Sequence, residues 1–145
     1  MKWIAFVAGG LVVLIVAVLA IGSLLPRNHK ASRTLRVKRT PAEVWPVLLS
    51  ATQASSVPVD TLESVPPHRL VTRVTAKETN FGGTWTVAID AAGAGATVTI
   101  TEDGWVANPI FRVVSRFIMG HHATMDAMLT QVAKGLGEEP ALSGE

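Results

Sequence analysis

Hydrophobic and polar positions alternate in recognisable ways along almost the whole chain. Residues 3–25 form an apolar run of 23 positions without one charged side chain. As a helix rising ~1.5 Å per residue it would measure roughly 34 Å, enough for the ~30 Å hydrocarbon core of a bilayer. Residues 33–39 then alternate, Leu35 and Val37 against Arg36 and Lys38, which predicts a first strand with one wet face. Thr40-Pro41-Ala42-Glu43 is a helix start, with a capping threonine, a proline in the first turn and a glutamate to complete a capping box. The helix carries Val44, Trp45, Val47, Leu48 and Leu49, and small polar residues at 51–58 read as a linker.

Strands follow at 60–64, 69–77, 84–90 and 97–103. The alanine-glycine segment 91–96 joins the last two as a hairpin, and Gly82-Gly83 reads as a bulge or sharp bend. From the Asn108 cap and Pro109, apolar residues recur at steps of three and four through Ile110, Val113, Phe117, His121, Met125, Met128 and Val132. That spacing predicts one long helix to about residue 136. The order predicts an α+β domain: an N-terminal transmembrane helix, then a curved antiparallel sheet of about five strands packed on a long C-terminal helix.

Charge adds a direction. Six of the thirteen basic residues lie between Arg27 and Arg39, just after the apolar run. The positive-inside bias then leaves a single-pass anchor with the C-terminal domain in the cytoplasm. A secretory signal is the competing reading, because Ala20-Ile21-Gly22 before Ser23 resembles a cleavage site and cleavage would reverse the compartment. Trp3 suits an interfacial anchor. From Pro41 onward the chain has six basic and eleven acidic side chains, which argues against nucleic acid as a partner. There is no cysteine, so disulfides and thiolate metal sites are excluded. The expected parts are an anchor at 1–26, a basic juxtamembrane linker at 27–33, a domain at 34–137 and a disordered tail at 138–145.

Thr40-Pro41-Ala42-Glu43-Val44-Trp45, Pro66-Pro67-His68-Arg69-Leu70-Val71, Gly83-Thr84-Trp85, Thr101-Glu102-Asp103-Gly104 and Asn108-Pro109-Ile110-Phe111-Arg112 occur in that order. In this, residues 30–137 resemble the START-like superfamily, in particular its polyketide cyclase/dehydrase and lipid-transport branch. The resemblance implies a helix-grip fold around an apolar cavity for a hydrophobic ligand. Members usually have another helix and two more strands before the Pro-Pro turn, whereas here only residues 50–64 fill that space. The expectation is a groove open along one side and an exposed sheet edge, which the bilayer, a protein partner or a second copy could cover.

Candidate chemistry is sparse. His121 and His122 point about 100° apart on a helix and cannot easily share a metal, so no metal site is expected. His121 falls on the apolar face, and Glu102 extends the Val98–Ile100 face to the rim of the core. They are the candidate acid/base pair, although Glu102 ending a strand against Arg112 or Arg116 is the plainer reading. Trp85, Trp105, Phe117, His121, Met125 and Met128 are the candidate groove lining, with core packing as the alternative for the tryptophans and methionines and a partly buried histidine bonded to a strand as the plainer reading of His121. No cofactor is implied. Three functions remain: a membrane-tethered binding module for an apolar small molecule or lipid, an interaction protein pairing through its open edge, and a polyketide-cyclase-like enzyme.

Overall fold

The computed structural model describes residues 1–75, 80–120 and 122–144. The apolar run forms α1 (Lys2–Leu24) and leads into β1 (Asn28–Val37). Then come α2 (Pro41–Gln53), β2 (Val59–Val65), β3 (Arg69–Val74), β4 (Phe81–Ala92) and β5 (Gly95–Val106). The C-terminal part contains α3 (Pro109–Val114), a π-helical turn (Ser115–Met119), α4 (Ala123–Gly135) and β6 (Ala141–Ser143). The strands form one curved antiparallel sheet in the order β2-β3-β4-β5-β1-β6, giving the expected α+β architecture.

Local chemistry explains the starts of the helices. At α2 the Thr40 backbone N–H and hydroxyl both donate to Glu43 Oε2 at 2.9 Å. At α3 the Asn108 side chain accepts from the backbone of Ile110 at 2.8 Å and Phe111 at 3.3 Å. The backbone bonds among these satisfy donors that a helix start leaves without an intrahelical partner.

Alternation places Leu35, Leu70, Val87, Ile89, Val98 and Ile100 on the concave face. Val44, Leu48 and Ala51 of α2 and Met125, Leu129 and Val132 of α4 close over them. Arg33, on the same face of β1, ties α4 down by donating from Nε to Asp126 Oδ1 at 2.6 Å. This ion pair and the apolar contacts hold α4 across the sheet.

Four expectations need correction. The strand expected at 33–39 begins at Asn28, so most of the basic stretch expected as a linker is paired backbone, His29 lying opposite Gly104 and Lys30 opposite Asp103. The tail is not wholly irregular, because Ala141–Ser143 pairs with β1 and brings the sheet to six strands. Gly82 and Gly83 stay in regular register opposite Trp105 and Gly104 instead of forming a bulge. A Cβ on Gly82 would lie 2.7 Å from the Trp105 indole, so this glycine leaves room for the ring.

The fourth correction concerns the C-terminal helix, which is broken. The π-helical turn shifts the phase of the apolar face, and Gly120 follows it at φ 73° and ψ 156°. Essentially only glycine adopts that region, because a Cβ would clash with the backbone. The chain therefore turns away after Met119 and starts α4 afresh. α3 packs mainly on α1 and touches the sheet only at β5.

Candidate functional site

The concave face does not close completely over the core. Between the C-terminal end of α2, the start of β2, strands β3 and β4, and the N-terminal half of α4 lies a cavity of about 140 Å³. Leu48, Leu70, Thr72, Trp85, Val87 and Met128 form its wall. Its exposed lining residues, Ser55, Phe81 and Thr124, mark an open side. The lining is mostly apolar, as expected for a site that recognises shape and hydrophobic surface.

Among the described residues, one carboxylate stands in this wall. Glu102 Oε2 accepts a hydrogen bond from Trp85 Nε1–H at 2.7 Å, and Oε1 pairs with His29 Nε2 at 2.8 Å. The side chains of His29 and Glu102 are 17% and 18% exposed, so the pair is shielded without being sealed. The register builds this arrangement: Glu102 lies opposite Ala31 on one side and Trp85 on the other, while His29 lies opposite Gly104. A Cβ on Gly104 would come within 2.6 Å of the His29 ring, so the glycine opens the space the imidazole occupies. A carboxylate with a donor on each oxygen is held in one orientation, and it orients the indole and the imidazole in turn.

Trp85, Met128 and Glu102 line the cavity, and Met125 is fully buried in the core beneath it. Trp105 lies on the opposite face of the sheet over Gly82, 43% exposed. Phe117 projects from the π-helical turn, 65% exposed and away from the cavity. His121 lies outside the described residues, and with it the His121–Glu102 pair. His122 precedes α4, and its Nδ1 is buried without a hydrogen-bond partner. Glu102 pairs with neither Arg112 nor Arg116. Arg112 is instead buried and donates only to backbone carbonyls.

Sequence reasoning missed His29, because the basic residues around it read as linker. The alternation that continues back from Leu35 through Arg33 and Ala31 was the available signal. Among the described residues no group of three or more His, Asp or Glu side chains could hold a metal ion.

No family model matches the chain, and no curated protein matches its sequence. Solved structures do share its fold. A conserved protein from Geobacillus kaustophilus superposes with a TM-score of 0.62 at 11% identity, over 79% of this chain and 99% of that one. CalU16 from Micromonospora echinospora gives 0.58 at 10% identity, over 79% and 78%. Protein CV1439 from Chromobacterium violaceum gives 0.53 at 14% identity, over 79% and 100%. Identities this low show a common fold and nothing finer.

α1 is long and apolar enough to cross a membrane, a requirement that a signal sequence near the N-terminus also meets. Its C-terminal end is docked on the domain. Arg112 Nη1 donates to Gly22 O at 3.0 Å and Leu25 O at 3.3 Å, while Nε and Nη2 donate to Val106 O at 2.8 Å and Ala107 O at 2.6 Å. Gly22 lies directly against the Pro109 carbonyl, with no room for a Cβ.

Proposed function

We propose that this protein is a membrane-tethered binding module of the START-like, helix-grip type. It takes an apolar small molecule, or the apolar part of a lipid, into the groove between the sheet and helices α2 and α4, without chemistry. The apolar cavity, open on one side, carries this reading. Both oxygens of Glu102, the one carboxylate among its described lining residues, already accept protein hydrogen bonds, which suits a fixed wall better than a free general base.

The junction at Gly22 and Arg112 supports an uncleaved anchor. Cleavage after Gly22 or earlier would separate α1 from the domain and leave Arg112, 6% exposed, without the Gly22 acceptor. Given the basic residues that follow α1, the body belongs on the cytoplasmic side.

The test is native mass spectrometry of the full-length protein, gently extracted from its own membrane, with lipid analysis of released material. The expected result is a discrete adduct that disappears in Met128→Trp, a substitution that fills the cavity. A bare protein would refute the binding module. A second reading, pairing through a sheet edge, draws on edge strand β2, whose Leu62 and Val65 are about half exposed. In the same experiment it predicts a bound polypeptide.

A further inference from the structure

Most large exposed apolar side chains beyond α1 gather in one place. Trp105, Ile110, Phe111, Phe117, Ile118 and Met119 are between 43% and 76% exposed, all within fifteen residues of chain. A soluble surface rarely leaves so dense an apolar patch uncovered. Ile110 and Phe111 on α3 and Phe117, Ile118 and Met119 on the π-helical turn that continues it are all exposed, so the two elements together present one apolar stripe. The break at Gly120 keeps that stripe off the sheet, where a continuous helix would have buried part of it.

The patch is fixed in depth relative to α1. Gly22 lies against Pro109, and Arg112 clamps the last carbonyls of α1, so α3 starts where α1 ends. A helix of 23 residues spans roughly 34 Å against a hydrocarbon core of ~30 Å, which puts Gly22 near one membrane boundary. Exposed Arg27, Lys30 and Arg116 flank the patch, although the rest of the body is acidic. Trp105 at the rim is the residue type favoured at a membrane–water interface.

We propose that α3 and the π-helical turn form a second, monotopic membrane contact. Their apolar stripe lies among the upper acyl chains, and the flanking cations meet anionic headgroups. The inference rests on reading α1 as an uncleaved span, and the partner it commits to is the bilayer. The same contact fixes the groove. Phe81 lies opposite Val106 and Asn28 opposite Trp105, so this end of the sheet, with the Phe81 rim of the cavity, faces the lipid.

Because the chain has no cysteine, single labels can be introduced cleanly. Full-length Ile118→Cys, Leu14→Cys and Ala91→Cys, each carrying an environment-sensitive NBD group, are reconstituted in phosphatidylcholine/phosphatidylglycerol vesicles. Quenching by doxyl-labelled lipids is compared with quenching by aqueous iodide. The expected result is strong quenching of the Leu14 site by deep doxyl groups and of the Ile118 site by shallow ones, several-fold above the Ala91 site at the far hairpin. Phe117→Cys should behave as Ile118→Cys.

If the Ile118 site quenches like Ala91 while Leu14 remains in lipid, the anchor stands and the second contact is refuted. An Ile118 site shielded from both quenchers would mean a protein cover and overturns the proposal too. Iodide access at Leu14 would overturn the anchor reading and this inference together.

Discussion

Arg112 is the most informative residue to perturb, because it joins the apolar helix to the folded body. It is 6% exposed and donates four hydrogen bonds, all to backbone carbonyls of Gly22, Leu25, Val106 and Ala107. Arg112→Met keeps the length of the side chain and removes every donor. Gly22 and Val106 are buried, so their carbonyls are left without this partner, at about 1–3 kcal/mol each. Leu25 and Ala107 are better exposed and can rehydrate at little cost. Release of a guanidinium from a buried site offsets part of the loss. The net effect is about 2–4 kcal/mol on the junction, or roughly 30- to 1,000-fold in its open population. Hydrogen exchange of the full-length protein in nanodiscs reads this directly, since the Val106 amide donates to Arg27 O at 2.8 Å across the junction. Its protection should fall by that factor while Val87 and Val98, inside the sheet, keep theirs. Gly22→Val should open the same junction by driving a side chain into Pro109. A Val106 amide exchanging within threefold of the unmodified protein in Arg112→Met would refute the reasoning.

Three further outcomes are expected. Leu129→Ala, at a fully buried position between α4 and the sheet, should cost about 2–5 kcal/mol in denaturant unfolding, and a loss below 1 kcal/mol would contradict the packing described. Glu102→Leu should cost about 1–3 kcal/mol because the Trp85 indole N–H loses its acceptor, whereas Glu102→Gln keeps one and should cost less than about 1 kcal/mol; equal losses would rule out the indole bond. Hydrogen bonds from Thr40, backbone first and then hydroxyl, with Arg39 nearby, hold the Glu43 carboxyl below its ordinary value of 4.5. A depressed carboxyl stabilises fully above its unfolded value, and that stabilisation is lost as pH falls through the folded one. The difference in unfolding midpoint between the protein and Glu43→Gln should therefore be present at neutral pH and shrink below about pH 4.5; a difference independent of pH would contradict the capping box.

Features carried by short-range chemistry could be read from the sequence. The Thr40–Glu43 box, the Asn108 cap, the alternation of β4 and β5 and the apolar run of α1 each announce themselves within a few residues. The break in the C-terminal helix did not. A lone glycine costs a helix only about 1 kcal/mol, so Gly120 gave no sign of its positive φ, and a π-helical turn leaves the three- and four-residue spacing nearly intact. Partners set by strand register were also invisible. Glu102 meets His29 and Trp85 because β5 lies between β1 and β4, a fact of topology that no local pattern encodes. In the sequence Arg112 reads only as a candidate partner of Glu102, because a charged side chain is rarely buried and its backbone acceptors lie up to 90 residues away.

The size of the cavity bears on the kind of binding module proposed. About 140 Å³ is close to the ~150 Å³ void that holds one benzene ring, and well below the roughly 300–1,000 Å³ of sites that enclose a drug-sized ligand. A molecule seated here can bury a ring or a short branched segment, and the rest must extend past Ser55, Phe81 or Thr124. A soluble carrier has to shield its whole cargo from water, so this groove suits carriage poorly. A body fixed at the bilayer through α1 and α3, as proposed, would have no such need, because the remainder of the ligand could stay among the lipids. On the proposed function, partial enclosure and a rigid anchor therefore belong together: such a groove would recognise one end of a membrane-resident molecule while the other end remained in the bilayer.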